Sequence, residues 1–275
     1  VIDGDDFTLE SVDEGQYRRR VPEHWCFDGR AFGGYTAALA LAGVLDTAGG
    51  SAAASLSVSF LHPGEVGPVE IDIGTLRSGR SASAYRAVVR QGGAILVDAS
   101  VWVADAWSGP AISPPPAPAE PVEPPDALPS LAWLVDDWGA LDFADRRAID
   151  YPLTWQEFAR GTPRIALWTR VDDGGEPATS EPLPSPQLGD VLHADAHLFD
   201  APAQVTGFGE VWLLSLDLNV TWFPGSMLVP STDWRQVEVI GAVAAGGVTA
   251  SGTIRDTKGN LLATMTSQGL RRRSG

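Results

Sequence analysis

Two rhythms of apolar and polar positions alternate along this chain. After Phe32-Gly33-Gly34, residues 35–46 are Ala- and Leu-rich with almost no polar face, which predicts a helix enclosed on all sides by other structure. Strand-like segments follow at 54–62, 68–77, 82–91 and 94–104. Turn signals separate them at Pro63-Gly64, Ser78-Gly79 and Gly92-Gly93. One buried helix followed by about four sequential strands suggests an antiparallel sheet wrapped round a helix.

The later part repeats this order. Strands are expected at 147–153 and 164–171, then a helix over about 187–199 with Ser185-Pro186 as N-cap and first-turn pair. Further strands are expected near 210–222, 234–244, 248–256 and 261–270. Residues 55–64 (SLSVSFLHPG) resemble residues 215–225 (SLDLNVTWFPG) with one insertion, and 93–102 parallels 259–268. A duplicated α+β unit accounts for this; coincidental likeness of two antiparallel strands is the alternative. Between the halves, residues 109–129 are proline-rich, with Pro114, Pro115 and Pro116 consecutive, and read as a linker. The expected division is an N-terminal unit at 1–108, a linker at 109–143 and a C-terminal unit at 144–275.

Composition narrows the function classes. The chain has 275 residues, 44% hydrophobic and 20% charged, with mean hydropathy −0.01, which suits a globular protein with a real core. The formal charge of −16 argues against general nucleic-acid binding and against electrostatic docking to anionic membranes. The longest apolar run, residues 35–45, is short of the ~20 residues that span a bilayer. The acidic start lacks a basic leader segment, so a cytoplasmic location is the default expectation. The single Cys26 excludes an intramolecular disulfide framework and reads as a small packed side chain. His193 and His197, spaced i,i+4, are either a metal pair or hydrogen-bonded histidines, and no recognised metal spacing is present.

Five features stand out chemically, each with an ordinary reading beside the functional one. Asp195 falls on the apolar stripe formed by Leu188, Val191, Leu192, Leu198 and Phe199. A carboxylate there is either functional or at the edge of a slightly rotated helix. Ser215 lies on the less apolar face of its strand, opposite to Leu214, Leu216 and Leu218, where a plain hydroxyl is ordinary. Gln268, near the end of the last strand, reads alone as a surface amide; Arg271, Arg272 and Arg273 read as a solvated terminus or as phosphate contacts. Gly33-Gly34 at a helix start either packs closely or offers free N–H groups to an oxyanion. A GxSxG elbow, a P-loop and a GxGxxG after a strand are all missing from the sequence.

Phe32-Gly33-Gly34-Tyr35 before an apolar helix, the strand end Ser57 to Gly64 (SVSFLHPG) and Thr75 to Ser81 (TLRSGRS) resemble acyl-CoA thioesterase II, the TesB type. Leu216-Asp217 and Thr266-Ser267-Gln268-Gly269 resemble its C-terminal half more loosely. The resemblance implies a double hot-dog fold of class α+β, two tandem units each with an antiparallel sheet around a central helix. It implies hydrolysis of acyl-CoA without metal, cofactor or covalent intermediate. By local context the family's Asp, Ser/Thr and Gln map to Asp195, Ser215 and Gln268, which would hold and activate a water. Gly33 and Gly34 would bind the substrate carbonyl, and Arg271 the CoA phosphates. Ser57 and Leu218 depart from positions where the family often has His. Hot-dog sheets commonly pair through strand edges, so a homo-oligomer fits the resemblance. A non-catalytic acyl-CoA-binding protein and an enoyl-CoA hydratase are the competing readings.

Overall fold

In the computed structural model of the chain, residues 4–111, 123–134, 141–158, 161–172, 183–207 and 211–273 are described. Much of the expected linker, including residues 112–122 and 135–140, lies outside them. The strands are β1 (Glu10–Asp13), β2 (Gln16–Val21), β3 (Cys26–Phe27), β4 (Arg30–Ala31), β5 (Ala53–Phe60), β6 (Gly67–Arg77), β7 (Ser83–Gln91) and β8 (Ala94–Val103) in the first half. The second half holds β9 (Ala144–Asp150), β10 (Arg164–Val171), β11 (Val211–Ser215), β12 (Asp217–Trp222), β13 (Arg235–Val243), β14 (Gly247–Arg255) and β15 (Leu261–Arg273). Among the described residues, the helices used below are α1 (Gly33–Thr47), α2 (Pro186–His197) and α3 (Asp200–Thr206).

α1 forms where its apolar run predicts, and Gly34 to Leu45 are all buried. Its small residues let strands come close: a Cβ on Gly43 would stand 3.1 Å from the Ile73 side chain. The entry to α1 is set by the β3–β4 hairpin, whose two turn residues, Asp28 and Gly29, have φ of 49° and 73°. Ser185 caps α2 by accepting from the Gln187 amide, and Pro186 opens the helix.

Among the described residues, an antiparallel sheet of 13 strands surrounds the helices, in the order β1-β2-β6-β7-β8-β5-β12-β15-β14-β13-β10-β9, with β11 also on β15 and β3–β4 forming a separate small sheet. The halves join at β5 and β12. There Val58 stands opposite Leu218, flanked by Ser57–Asn219 and Ser59–Asp217. Val58 and Leu218 are also equivalent positions of the repeat, so a pseudo-two-fold axis passes through this pair, as duplication of one unit requires.

Helices α1 and α2 lie side by side and antiparallel. Gln187 near the start of α2 clasps the Ala53 backbone just past α1, with bonds of 2.9 and 2.7 Å. Asp195 near the end of α2 meets the start of α1. The structure differs from expectation in three places. β1 and β2 were hidden by the run Arg18-Arg19-Arg20, although Tyr17 and Val21 face the core. The helix expected to reach residue 199 ends at His197, and α3 follows as a separate turn. The strand expected over 210–222 is interrupted at Leu216.

Candidate active site

That interruption is a β-bulge. β11 pairs with β15 so that Ser215 stands opposite Gly269, whereas β12 pairs so that Asn219 stands opposite Thr266. Leu216 and Asp217 therefore face one residue, Gln268. On β15 the side chains of Ala263, Met265 and Ser267 are buried, while Thr266 and Gln268 are exposed. Ser215, opposite the buried Gly269, thus faces inward, and so does Leu218 beyond the bulge; Leu216, 44% exposed, faces out. Simple alternation put Ser215 on the other face, and the extra residue reverses that placement.

Inside, Ser215 meets Asp195. The Gly34 amide donates to Asp195 Oδ2 at 2.6 Å, and the Ser215 hydroxyl lies beside the carboxylate and favours its charged form. Gly34 is the second residue of α1, where backbone N–H groups lack helical partners and the helix dipole favours negative charge. Asp195 is only half-buried as a residue, but its carboxyl group is closely enclosed by protein. Enclosure raises its pKa to about 6, against the smaller lowering effects of the Gly34 and Ser215 hydrogen bonds.

The glycines are steric requirements here. A Cβ on Gly33 would fall 2.9 Å from Asp195 Oδ2, and one on Gly34 2.7 Å from the Phe32 ring and 3.1 Å from Asp195 Cβ. A Cβ on Gly269 would fall 2.5 Å from the Phe199 ring. The rings of Phe60, Phe32 and Phe199 pack against Gly33, Gly34 and Gly269 in turn. Sequence reasoning gave none of these three a role in the site; only Phe32 adjoins a glycine in the sequence.

Asp195, Ser215, Gly33 and Gly34 are thus brought together. Gln268 is not: its side chain is exposed on the outer face because it lies one residue from the inward Ser267 and Gly269. Only its backbone reaches the bulge. Arg271 stands opposite Leu213 on the same inward face as Ser215, half-buried, with its Nε enclosed and lacking a hydrogen-bond partner. Ser57 faces outward and bonds Asn219 Oδ1 at 2.6 Å. Cys26 is half-buried against the Pro22 carbonyl.

His193 and His197 take part in packing. His193 bonds Thr169 Oγ1 at 3.2 Å, and His197 Nδ1 bonds Asp200 Oδ2 at 2.9 Å. Arg146 Nε donates to His197 Nε2 at 3.3 Å, so the imidazole proton sits on Nδ1 and is donated to Asp200. Burial pushes both histidines below the ordinary imidazole range. Among the described residues no helix is long and apolar enough to cross a membrane.

Residues 21–104 match the family described as the acyl-CoA thioesterase N-terminal domain. Curated proteins gave no match. Solved structures match over nearly the full chain. A tesB protein of Mycobacterium avium subsp. paratuberculosis is 22% identical, with 98% of this chain and 97% of that one covered and a TM-score of 0.78. Acyl-CoA thioesterase II TesB2 from Mycobacterium marinum is 22% identical over 98% and 97%, at 0.75. A conserved protein of unknown function with a hot-dog fold, from Alicyclobacillus acidocaldarius, is 18% identical over 99% and 98%, at 0.79. The expected resemblance is borne out as far as a match over residues 21–104 to the acyl-CoA thioesterase N-terminal domain family and a double hot-dog fold over the whole chain.

Proposed function

We propose that the protein hydrolyses acyl-CoA thioesters, with Asp195 as general base toward a water positioned by Ser215. The observation that carries this reading is the enclosed Asp195 carboxylate held between the start of α1 and the Ser215 hydroxyl. With a pKa of about 6 it is roughly nine-tenths ionised at pH 7 and basic enough to take a proton from water. Water adds to the thioester carbon as its proton passes to Asp195; the tetrahedral intermediate then breaks its C–S bond to give the acid and CoA thiolate, which takes the proton from Asp195 and restores the carboxylate. The Gly33 amide, first in α1, is the donor proposed for the oxyanion, because the Gly34 amide is engaged with Asp195. The missing Cβ at Gly33 lets Asp195 Oδ2 and the Phe60 ring come close to that backbone. Gln268 has no part in this scheme. Arg271 is proposed to meet an anionic group of the substrate, the local positive charge that a −16 chain needs for a CoA ligand.

Purified protein is assayed for free-thiol release from acyl-CoAs of graded chain length, with Ser215→Ala alongside. The reading predicts hydrolysis that falls at least about tenfold in the variant. Tight acyl-CoA binding with background thiol release would instead make this a binding protein.

A further inference from the structure

We infer that Asp217 is a positioning residue, whose carboxylate holds the bulge that turns Ser215 toward Asp195; this rests on the proposed function for its catalytic consequence. Four bonds pin the bulge. The Leu216 amide donates to the Gln268 carbonyl at 2.8 Å, and the Phe60 amide from β5 donates to the Leu216 carbonyl at 2.9 Å. The Gln268 amide donates to Asp217 Oδ1 at 2.6 Å, and Ser267 Oγ donates to the Asp217 carbonyl at 2.6 Å. Asp217 supplies the acceptor in two of the four. Its side chain takes the place of a strand carbonyl that the bulge has moved out of register.

The alternative register shows what is at stake. If the pairing of β12 with β15 continued without the extra residue, Leu216 would stand opposite Gly269 and face Asp195, and Ser215 would face out. The carboxylate would then meet an isobutyl group in place of a hydroxyl. The bulge thus decides whether the site can hold a water, and Asp217 is the side chain that fixes it. Ser267, buried on the inner face, secures the same peptide from the other side.

The test is a ¹³C-carboxyl titration of Asp195, identified by its loss in Asp195→Asn, run beside the pH dependence of kcat. Ser215→Ala removes a bond that favours the charged carboxylate, so the Asp195 midpoint moves up. Asp217→Ala is expected to move it in the same direction. The double variant should match Ser215→Ala alone, since both act through one hydroxyl. kcat should fall about 10- to 100-fold in Asp217→Ala with KM little changed, and Asp217→Asn, which keeps an acceptor oxygen, should restore both readouts. A wild-type Asp195 midpoint in folded Asp217→Ala overturns the inference, as does a double variant shifted beyond Ser215→Ala. If Asp217→Ala does not fold, Ser267→Ala must raise the midpoint, and an unchanged value overturns the inference. Absence of thiol release from every acyl-CoA would sink the functional reading alone, because the titration needs no substrate.

Discussion

Asp195 is a residue whose chemistry opposes its surroundings. The folded protein holds its proton more tightly than the unfolded chain, with a pKa of about 6 against an ordinary 3.8. Its burial is therefore fully tolerated below pH about 4 and becomes a growing cost as pH rises through about 6. Asp195→Asn should stabilise the protein at pH 7.5 by up to about 3 kcal/mol, and the gain should vanish near pH 4. Thermal unfolding at both pH values checks this; equal melting temperatures at pH 7.5 would contradict the raised pKa. Gly34→Ala should act oppositely. Its methyl meets the Phe32 ring and the Asp195 Cβ, so the carboxylate or α1 must move. Loss of about 1–3 kcal/mol is expected, together with a large loss of thioesterase rate. Unchanged stability and rate would mean the site relaxes freely. Periodicity made Asp195 legible as a misplaced carboxylate in the sequence. Gln268, read alone as a surface amide, is exposed as that reading expects; its catalytic assignment came from the resemblance, whereas the inward placement of Ser215 depends on register, which is invisible until partners pair.

At the scale of elements, α2 must be fixed against the sheet for Asp195 to meet Ser215. Asp190, one turn and a half earlier on α2, is wholly buried and bonds Arg235 Nε on β13 at 2.6 Å and Trp222 Nε1 on β12 at 3.0 Å. The other guanidinium nitrogens of Arg235 donate to the carbonyls of Val229, Pro230 and Asp233. Asp190→Ala would leave Arg235 buried and uncompensated, and should destabilise the protein by about 3–5 kcal/mol. Urea unfolding measures this; a loss under about 1 kcal/mol would show that the pair contributes little net. Helix α1, the cap at Ser185 and most strands were legible because local pattern and burial agree there. β2 was not, since its arginines share their strand with only two core-facing side chains. The bulge was equally hidden: Leu216 fits an alternating strand well, and only pairing reveals the extra residue.

The described residues are organised by one large sheet wrapped around two antiparallel helices, with a pseudo-two-fold axis at Val58 and Leu218. The repeat is not symmetric in chemistry. At the α1 start, Gly34 leaves room for Asp195; at the α2 start, Gln187 instead clasps Ala53 and holds the helices together. One end of the helix pair is thus built as a site and the other as a clasp. Internal similarity made the duplication legible in the sequence, while this division of labour needed the helices placed side by side. The central claim is that the Asp195 carboxylate activates water for thioester hydrolysis. The most direct measurement is kcat for acyl-CoA hydrolysis from pH 4.5 to 8.5, in the wild type and Asp195→Asn. The account predicts a wild-type rate that rises through a midpoint near pH 6 and levels above it, and a variant about 10²–10⁴-fold slower without that rise. A variant that keeps the wild-type rate and pH profile would contradict it.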